Sequence, residues 1–173
     1  MATKKSMWVL FGILVISAWV LGFAVQAGAE TMKGRTATTV TKNENIPVGD
    51  EEGHVVGLQI TQGLAFFENG EIAKMRAHSL LDSTTGKGSQ MIVYNIFTFE
   101  DGSTIVTRNQ RLMVADQSGN LSAKTTIELI KGTGRFEGIK GTGSSTGKNF
   151  PASKEEAGRV TNDITWTYIL PTK

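Results

Sequence analysis

Two arginines three positions apart, Arg108 and Arg111, lie inside the segment Thr104 to Val114. Successive side chains of a β-strand face opposite ways, so only one of the two can point into a core. An inward guanidinium binds a carboxylate or enolate, or orients a polarised carbonyl. An outward one is a surface cation with a solvated head. Glu128 stands between Ile127 and Leu129. Facing inward it would be a general acid or base, and facing outward a partner for a cross-strand lysine. Asn95 and Gln59 could hold a ligand carbonyl or serve as ordinary strand amides, and Tyr94 offers a ring with a hydroxyl. Gln59, Tyr94, Asn95, Arg108 and Glu128 are therefore the candidate ligand-binding residues. No nucleophile with a paired base and no carboxylate pair stands out, so no catalytic residue is assigned.

Several chemistries are excluded. The chain has no cysteine, which removes thiolate nucleophiles, thiolate metal sites and redox pairs. Its two histidines, His54 and His78, occur in no metal-binding spacing. The acidic run Asp50, Glu51 and Glu52 lacks the pattern of a calcium loop and reads as solvated. Neither a metal nor a cofactor is expected. The glycine-dense stretch "KGTGRFEGIKGTGS", residues 131–144, invites comparison with phosphate loops. Around Gly147-Lys148 a Walker loop would need glycine where Thr142 stands and Ser or Thr where Asn149 stands. In the dinucleotide pattern the third glycine is replaced by Glu137 or Thr146. No helix follows either copy, so nucleotide binding is rejected.

The elements that position these residues read as strands. Threonine and glycine are abundant, and apolar residues come in short blocks bounded by turn signals. Strands are expected over 36–42, 55–67, 71–80, 90–99, 104–114, 122–130 and 159–170, with a further strand pair around 135–139. Asn69-Gly70 and Asp101-Gly102 mark tight hairpins. The segments 43–53 and 145–158 read as polar connections. A closed antiparallel up-and-down β-barrel of about eight strands fits, because closure removes exposed edges; a two-sheet sandwich is the alternative. In the strand 90–99 one face carries Met91, Val93, Asn95, Phe97 and Phe99, the other Ile92, Tyr94 and Ile96. Both are apolar enough to be covered, which suggests a homo-oligomer, trimer or dimer.

"MATKKS" followed by the uncharged run Met7 to Val25 and by Ala27-Gly28-Ala29 has the order of a secretory signal peptide. At 19 residues the run also approaches the ~20 that span a bilayer, so an uncleaved anchor stays open. Either way the remainder is expected outside the cytoplasm, periplasmic or extracellular, with membrane contact only if the segment is retained. The chain divides into this signal or anchor over 1–29, a first strand and polar connection over 30–54, and a barrel domain over 55–173. Without Lys4 and Lys5 the 18 basic residues fall to 16, equal to the acidic count. A neutral domain has no electrostatic footprint for nucleic acid.

At the glycine stretch the sequence resembles the barrel of plant dirigent proteins and allene oxide cyclases. The dirigent pattern G-G-T-G-x-F is matched by Gly132, Thr133, Gly134 and Phe136, with Lys131 in the first position and Gly138 and Gly141 beyond. "FEDGSTIVTRNQ", from Phe99, is similar to the dirigent N-G-S-T-[LI] hairpin, with Asp101 in place of asparagine. The resemblance covers Val55 to Leu170 and implies an eight-stranded barrel, often trimeric, with a central apolar cavity. It does not carry the chemistry. The cyclase cysteine is missing, and the paired aspartates of dirigent proteins have no clear counterpart. The expected function is an exported barrel that binds a small, mainly apolar molecule and guides its cyclisation or coupling by positioning. The alternative is a non-enzymatic assembly protein whose apolar strand faces make subunit contacts.

Overall fold

The computed structural model describes residues 28–115, 121–150 and 152–172. The signal segment lies outside them but for its last two residues. Eight strands make up nearly all of the described chain: β1 Glu30–Pro47, β2 His54–Phe67, β3 Ile72–Thr84, β4 Gly88–Phe99, β5 Thr104–Ala115, β6 Leu121–Thr133, β7 Lys140–Phe150 and β8 Arg159–Ile169. Each is antiparallel to its sequence neighbours, and β1 closes the ring by pairing with β8. Met32 lies opposite Trp166 and Thr36 opposite Asn162, so β1 is a full stave of the barrel. No strand is left with an open edge among the described residues.

Period-two alternation explains why the sheet curls around these residues. In β3, Ala73, Met75, Ala77 and Ser79 are buried inside, while Lys74 and Arg76 face water. In β4, Val93, Asn95, Phe97 and Phe99 point inward. The outward Ile92, Tyr94 and Ile96 are 38%, 39% and 37% exposed, so none of the described residues covers that second apolar face. A bulge in β1 between Val40 and Lys42 shifts the register by one residue. Thr36, Thr38 and Val40 face inward before it, and Asn43 and Asn45 after it. This is how a bulge re-aims side chains.

The glycine segment differs from expectation. Gly134–Phe136 forms a 3-10 turn rather than a strand, and Gly134 adopts φ +61°, a left-handed value that glycine accepts readily. Phe136 is buried, as expected of an anchor. The strand is the following segment, Lys140–Phe150, most of which reads as a polar connection by sequence. It pairs with β8 along its whole length and with β6 from Gly141 to Gly147. Its inward glycines leave room for aromatic rings from β8: a Cβ at Gly143 would lie 2.7 Å from Trp166 Cδ1. Likewise β1 exceeds its expected span of 36–42 at both ends, and beyond Val40 the bulge breaks the alternation that would reveal it.

The two ends of the barrel differ. At the end holding the β2–β3, β4–β5 and β6–β7 turns, Phe67 stacks on Phe99 at 5.5 Å and tilts against Trp166 at 5.5 Å. Phe97 meets Trp166 edge-on at 4.9 Å, and Phe136 closes on Phe99 at 4.8 Å. The Arg135 guanidinium covers this plug, 4.6 Å from the Phe136 ring and 5.0 Å from Phe99. It is held there by Glu71 and by Asp101 at 3.4 Å. The end is sealed.

Candidate functional site

Above the aromatic plug the barrel is hollow. The cavity measures about 450 Å³, within the roughly 300–1,000 Å³ of small-molecule pockets. Its deep wall is apolar, from Met75, Val93, Phe97, Ile127 and Trp166. Toward the opposite end, where β7 leads into β8, the wall turns polar with Asn43, Asn45, Asn149 and Asn162. Exposed residues at this end, Ala152 among them, make it the mouth.

Some polar side chains of the wall satisfy one another. Asn95 Nδ2 donates to Thr107 Oγ1 at 3.1 Å, and Asn162 Nδ2 to Thr36 Oγ1 at 3.2 Å. Others do not. Ser89 Oγ, Asn95 Oδ1, Asn109 Oδ1, Arg111 Nε and Trp166 Nε1 are buried with no hydrogen-bond partner. These five are all the orphaned buried side-chain polar atoms found among the described residues, and all five belong to residues that line this cavity. Trp166 is 0% exposed, and Asn95, Asn109 and Ser89 are 5%, 6% and 7% exposed. A buried polar atom left without any partner costs on the order of 1–3 kcal/mol, so the clustering of these five sets this chamber apart from the rest of the described core.

Charge in the chamber is one-sided. Among the described lining residues the ionisable side chains are Arg111 and Arg159, and no carboxylate, histidine, lysine or tyrosine joins them. Arg159 pairs with Glu156 at the mouth. Arg111 donates from Nη2 to Asn149 Oδ1 at 3.0 Å and meets no carboxylate within salt-bridge distance among the described residues. Burial pulls the Arg111 guanidinium below its ordinary range. Among the described residues the inward groups are a guanidinium, amides and hydroxyls, which can donate to and orient a polar atom but offer no carboxylate or imidazole for proton transfer.

Of the expected ligand-binding residues, Gln59 and Asn95 line the cavity. Arg108, Glu128 and Tyr94 lie on the outer face, where Arg108 and Glu128 approach to 4.0 Å across β5 and β6. The arginine that faces inward is Arg111. Asn109, Ser89, Asn149 and Trp166 belong to the site without having been singled out by sequence, whereas Arg111 had been weighed with Arg108 for the inward place. The alternation in β5 signalled that one of the two arginines must be inside, and only the register chooses between them. Gly132, Gly134, Gly138 and Gly141 have architectural positions, in and beside the turn that carries Phe136.

Near the mouth a second cluster staples the β1–β2 connection to the β3–β4 hairpin. His54 bridges Asp50, at 2.6 Å from Nδ1, and Asp82, at 3.0 Å from Nε2. The hydrogen bond to Asp50, and then that to Asp82, raise the His54 pKa, while the bond from His54 lowers that of Asp50. Glu51 pairs with Lys87 and accepts from Thr84 Oγ1 at 3.3 Å. At the sealed end Tyr168 donates to Glu30 at 2.7 Å, and burial with that contact pushes its pKa to about 12.

A conserved protein of unknown function from Rhodopseudomonas palustris superposes on the chain with a TM-score of 0.53 at 12% identity, over 81% of this chain and 98% of that one. The likeness is one of fold. A pterocarpan synthase dirigent protein aligns with a TM-score of 0.45 at 15% identity, over 87% and 96% of the two chains. No protein-family model matches the chain, and no curated protein matches it in sequence. The closed eight-stranded antiparallel barrel is the fold implied by the dirigent resemblance.

Proposed function

We propose that this protein is an exported barrel that binds a small, mainly apolar molecule in its interior and acts on it by holding it in one orientation. The observation that carries the reading is the concentration of all five orphaned polar atoms around a chamber of about 450 Å³. Structures leave few buried polar groups unpaired, and a ligand's own donors and acceptors would satisfy these. The apolar deep wall supplies affinity, and the scattered polar atoms supply orientation. Any cyclisation or coupling would follow from positioning, since the wall offers a guanidinium but no acid or base. Export rests on the basic start, the apolar run and Ala27-Gly28-Ala29.

Native mass spectrometry of the protein purified from its own host tests this reading. A retained small molecule is expected, together with its loss on Ala77→Phe, which places a ring in the chamber. A ligand-free mass for well-folded protein would count against it. The outer face favours a second reading, assembly. Leu80 is 57% exposed and Leu112 47%, and with Ile92 they line a hollow on the outside of β3, β4 and β5. The same spectrum reports the subunit count and so tests that reading as well.

A further inference from the structure

Resting on the reading of the barrel as a binding chamber, we propose that its occupant is a monocarboxylic acid, apolar in its body, whose carboxylate lies against Arg111. Three features of the wall lead to this class of ligand.

The first is charge. Burying a guanidinium without a partner is unfavourable, and proteins resolve this with a paired anion. Among the described residues Arg111 has only the neutral Asn149 amide as a partner, and the described chamber wall holds no carboxylate. An anion that completes the pair therefore comes from the ligand. Because Arg159 is already matched by Glu156, the described wall carries one uncompensated positive charge and calls for one negative group.

The second is the placement of free donors around that charge. Ser89 pairs with Met113, and Arg111 with Met91, so Ser89 and Arg111 are diagonal neighbours across β4 and β5. Diagonal positions on one sheet face are about 7–8 Å apart, within reach of a long side chain. Both residues hold a buried polar atom without a partner, Arg111 Nε and Ser89 Oγ. A carboxylate set between them accepts from the guanidinium N–H with one oxygen and from the hydroxyl with the other. A planar two-oxygen acceptor suits the planar donor edge of arginine.

The third is the distribution of apolar surface. Arg111 lies four residues along β5 from Thr107, whose neighbour across the sheet is Asn95. Four residues of strand span about 13 Å, so the charged station stands well away from the level where Asn95, Phe97 and Trp166 form the deep wall. A molecule anchored at Arg111 directs its uncharged part onto Phe97, Ile127 and Trp166. The order from mouth to floor is thus polar rim, cation, apolar chamber and aromatic floor, which is the profile of an amphipathic acid.

Isothermal titration of the full-length chain with biphenyl-4-carboxylate and with its neutral isostere biphenyl-4-carboxamide separates this inference from the reading beneath it. The acid is expected to bind about 10- to 100-fold more tightly than the amide, the range for one charge-assisted contact. Arg111→Met should bring that ratio to within about threefold of one. Arg111→Gln, close in length and still polar, carries the same expectation should the methionine variant not fold, and Arg111→Lys should keep part of the preference. Equal affinities in the unsubstituted protein, or an undiminished ratio in a folded Arg111→Met or Arg111→Gln, would overturn the carboxylate assignment and leave the apolar chamber standing. Failure of both compounds to bind would overturn the two together.

Discussion

Replacing Arg111 with methionine should stabilise the ligand-free barrel. Two terms of opposite sign decide the size of the effect. The substitution removes the Nη2 hydrogen bond to Asn149, at 3.0 Å, a loss of about 1–2 kcal/mol. It also removes a guanidinium whose Nε is buried without a partner and whose charge meets no carboxylate among the described residues. Desolvating an ion fully costs several kcal/mol, and at a site this close to the mouth about 2–3 kcal/mol is a reasonable share. Methionine fills similar volume and packs against the apolar wall. The net gain is about 1 kcal/mol, or about 2–4 °C in Tm for a chain of this size. Urea and thermal melts of ligand-free protein measure it directly. A destabilisation above about 1 kcal/mol would show that Arg111 serves the fold and would refute the argument that its charge awaits a ligand. A residue that weakens the empty protein and strengthens the occupied one has the signature of function.

Three further outcomes follow from the same geometry. Trp166→Ala, at a fully buried position contacting Phe67 and Phe97, should cost about 3–5 kcal/mol in a urea melt, and a loss under 1 kcal/mol would contradict the aromatic plug. Gly143→Ala should cost about 1–3 kcal/mol, because its Cβ would press on the Trp166 ring at 2.7 Å; a neutral result would mean that β7 does not pack there. The His54 staple sets a pH dependence. Its folded pKa lies above the unfolded 6.5, so its contribution is complete below pH 6.5 and disappears as pH rises through the higher folded value. The urea midpoints of the unsubstituted protein and His54→Gln should therefore differ more at pH 5.5 than at pH 9, and an equal difference at both would count against the bridge.

Much of the fold was legible in the sequence because most strands alternate cleanly. Lys74 and Arg76 set against Met75 and Ala77 declare which face of β3 is buried, and Asn69-Gly70 declares the turn before it. What escaped has physical reasons. The β7 sequence, "KGTGSSTGKNF", holds no β-branched aliphatic residue and has only a terminal aromatic, so its own propensity argues for a loop. Its neighbours override this: β8 pairs with it along its length and β6 from Gly141 to Gly147, and the missing side chains of Gly143 and Gly141 leave the space that Trp166 and Tyr168 occupy.

The candidate site was legible in its kind more than in its members. Asn95 and Gln59 stood out as amides within apolar strands, able to hold a ligand carbonyl or to serve as ordinary strand amides, and the structure puts both in the wall. In β5 both faces mix polar and apolar residues, so the choice between Arg108 and Arg111 depended on cross-strand partners. Arg108 faces Glu128 in the register, whereas Arg111 faces Thr125. Asn43 and Asn45 reach the cavity only through the bulge after Val40. A bulge carries no dependable signature in a single sequence.

A hollow barrel that serves as a binding chamber should hold its occupant when taken from its own host. Electron density inside the barrel, in crystals of protein purified from its own host, tests that claim most directly. The account predicts an ordered organic molecule with one end within hydrogen-bond distance of Arg111 Nε and an apolar body against Phe97 and Trp166. A chamber filled with water alone, with the five orphaned atoms all hydrated, would contradict it.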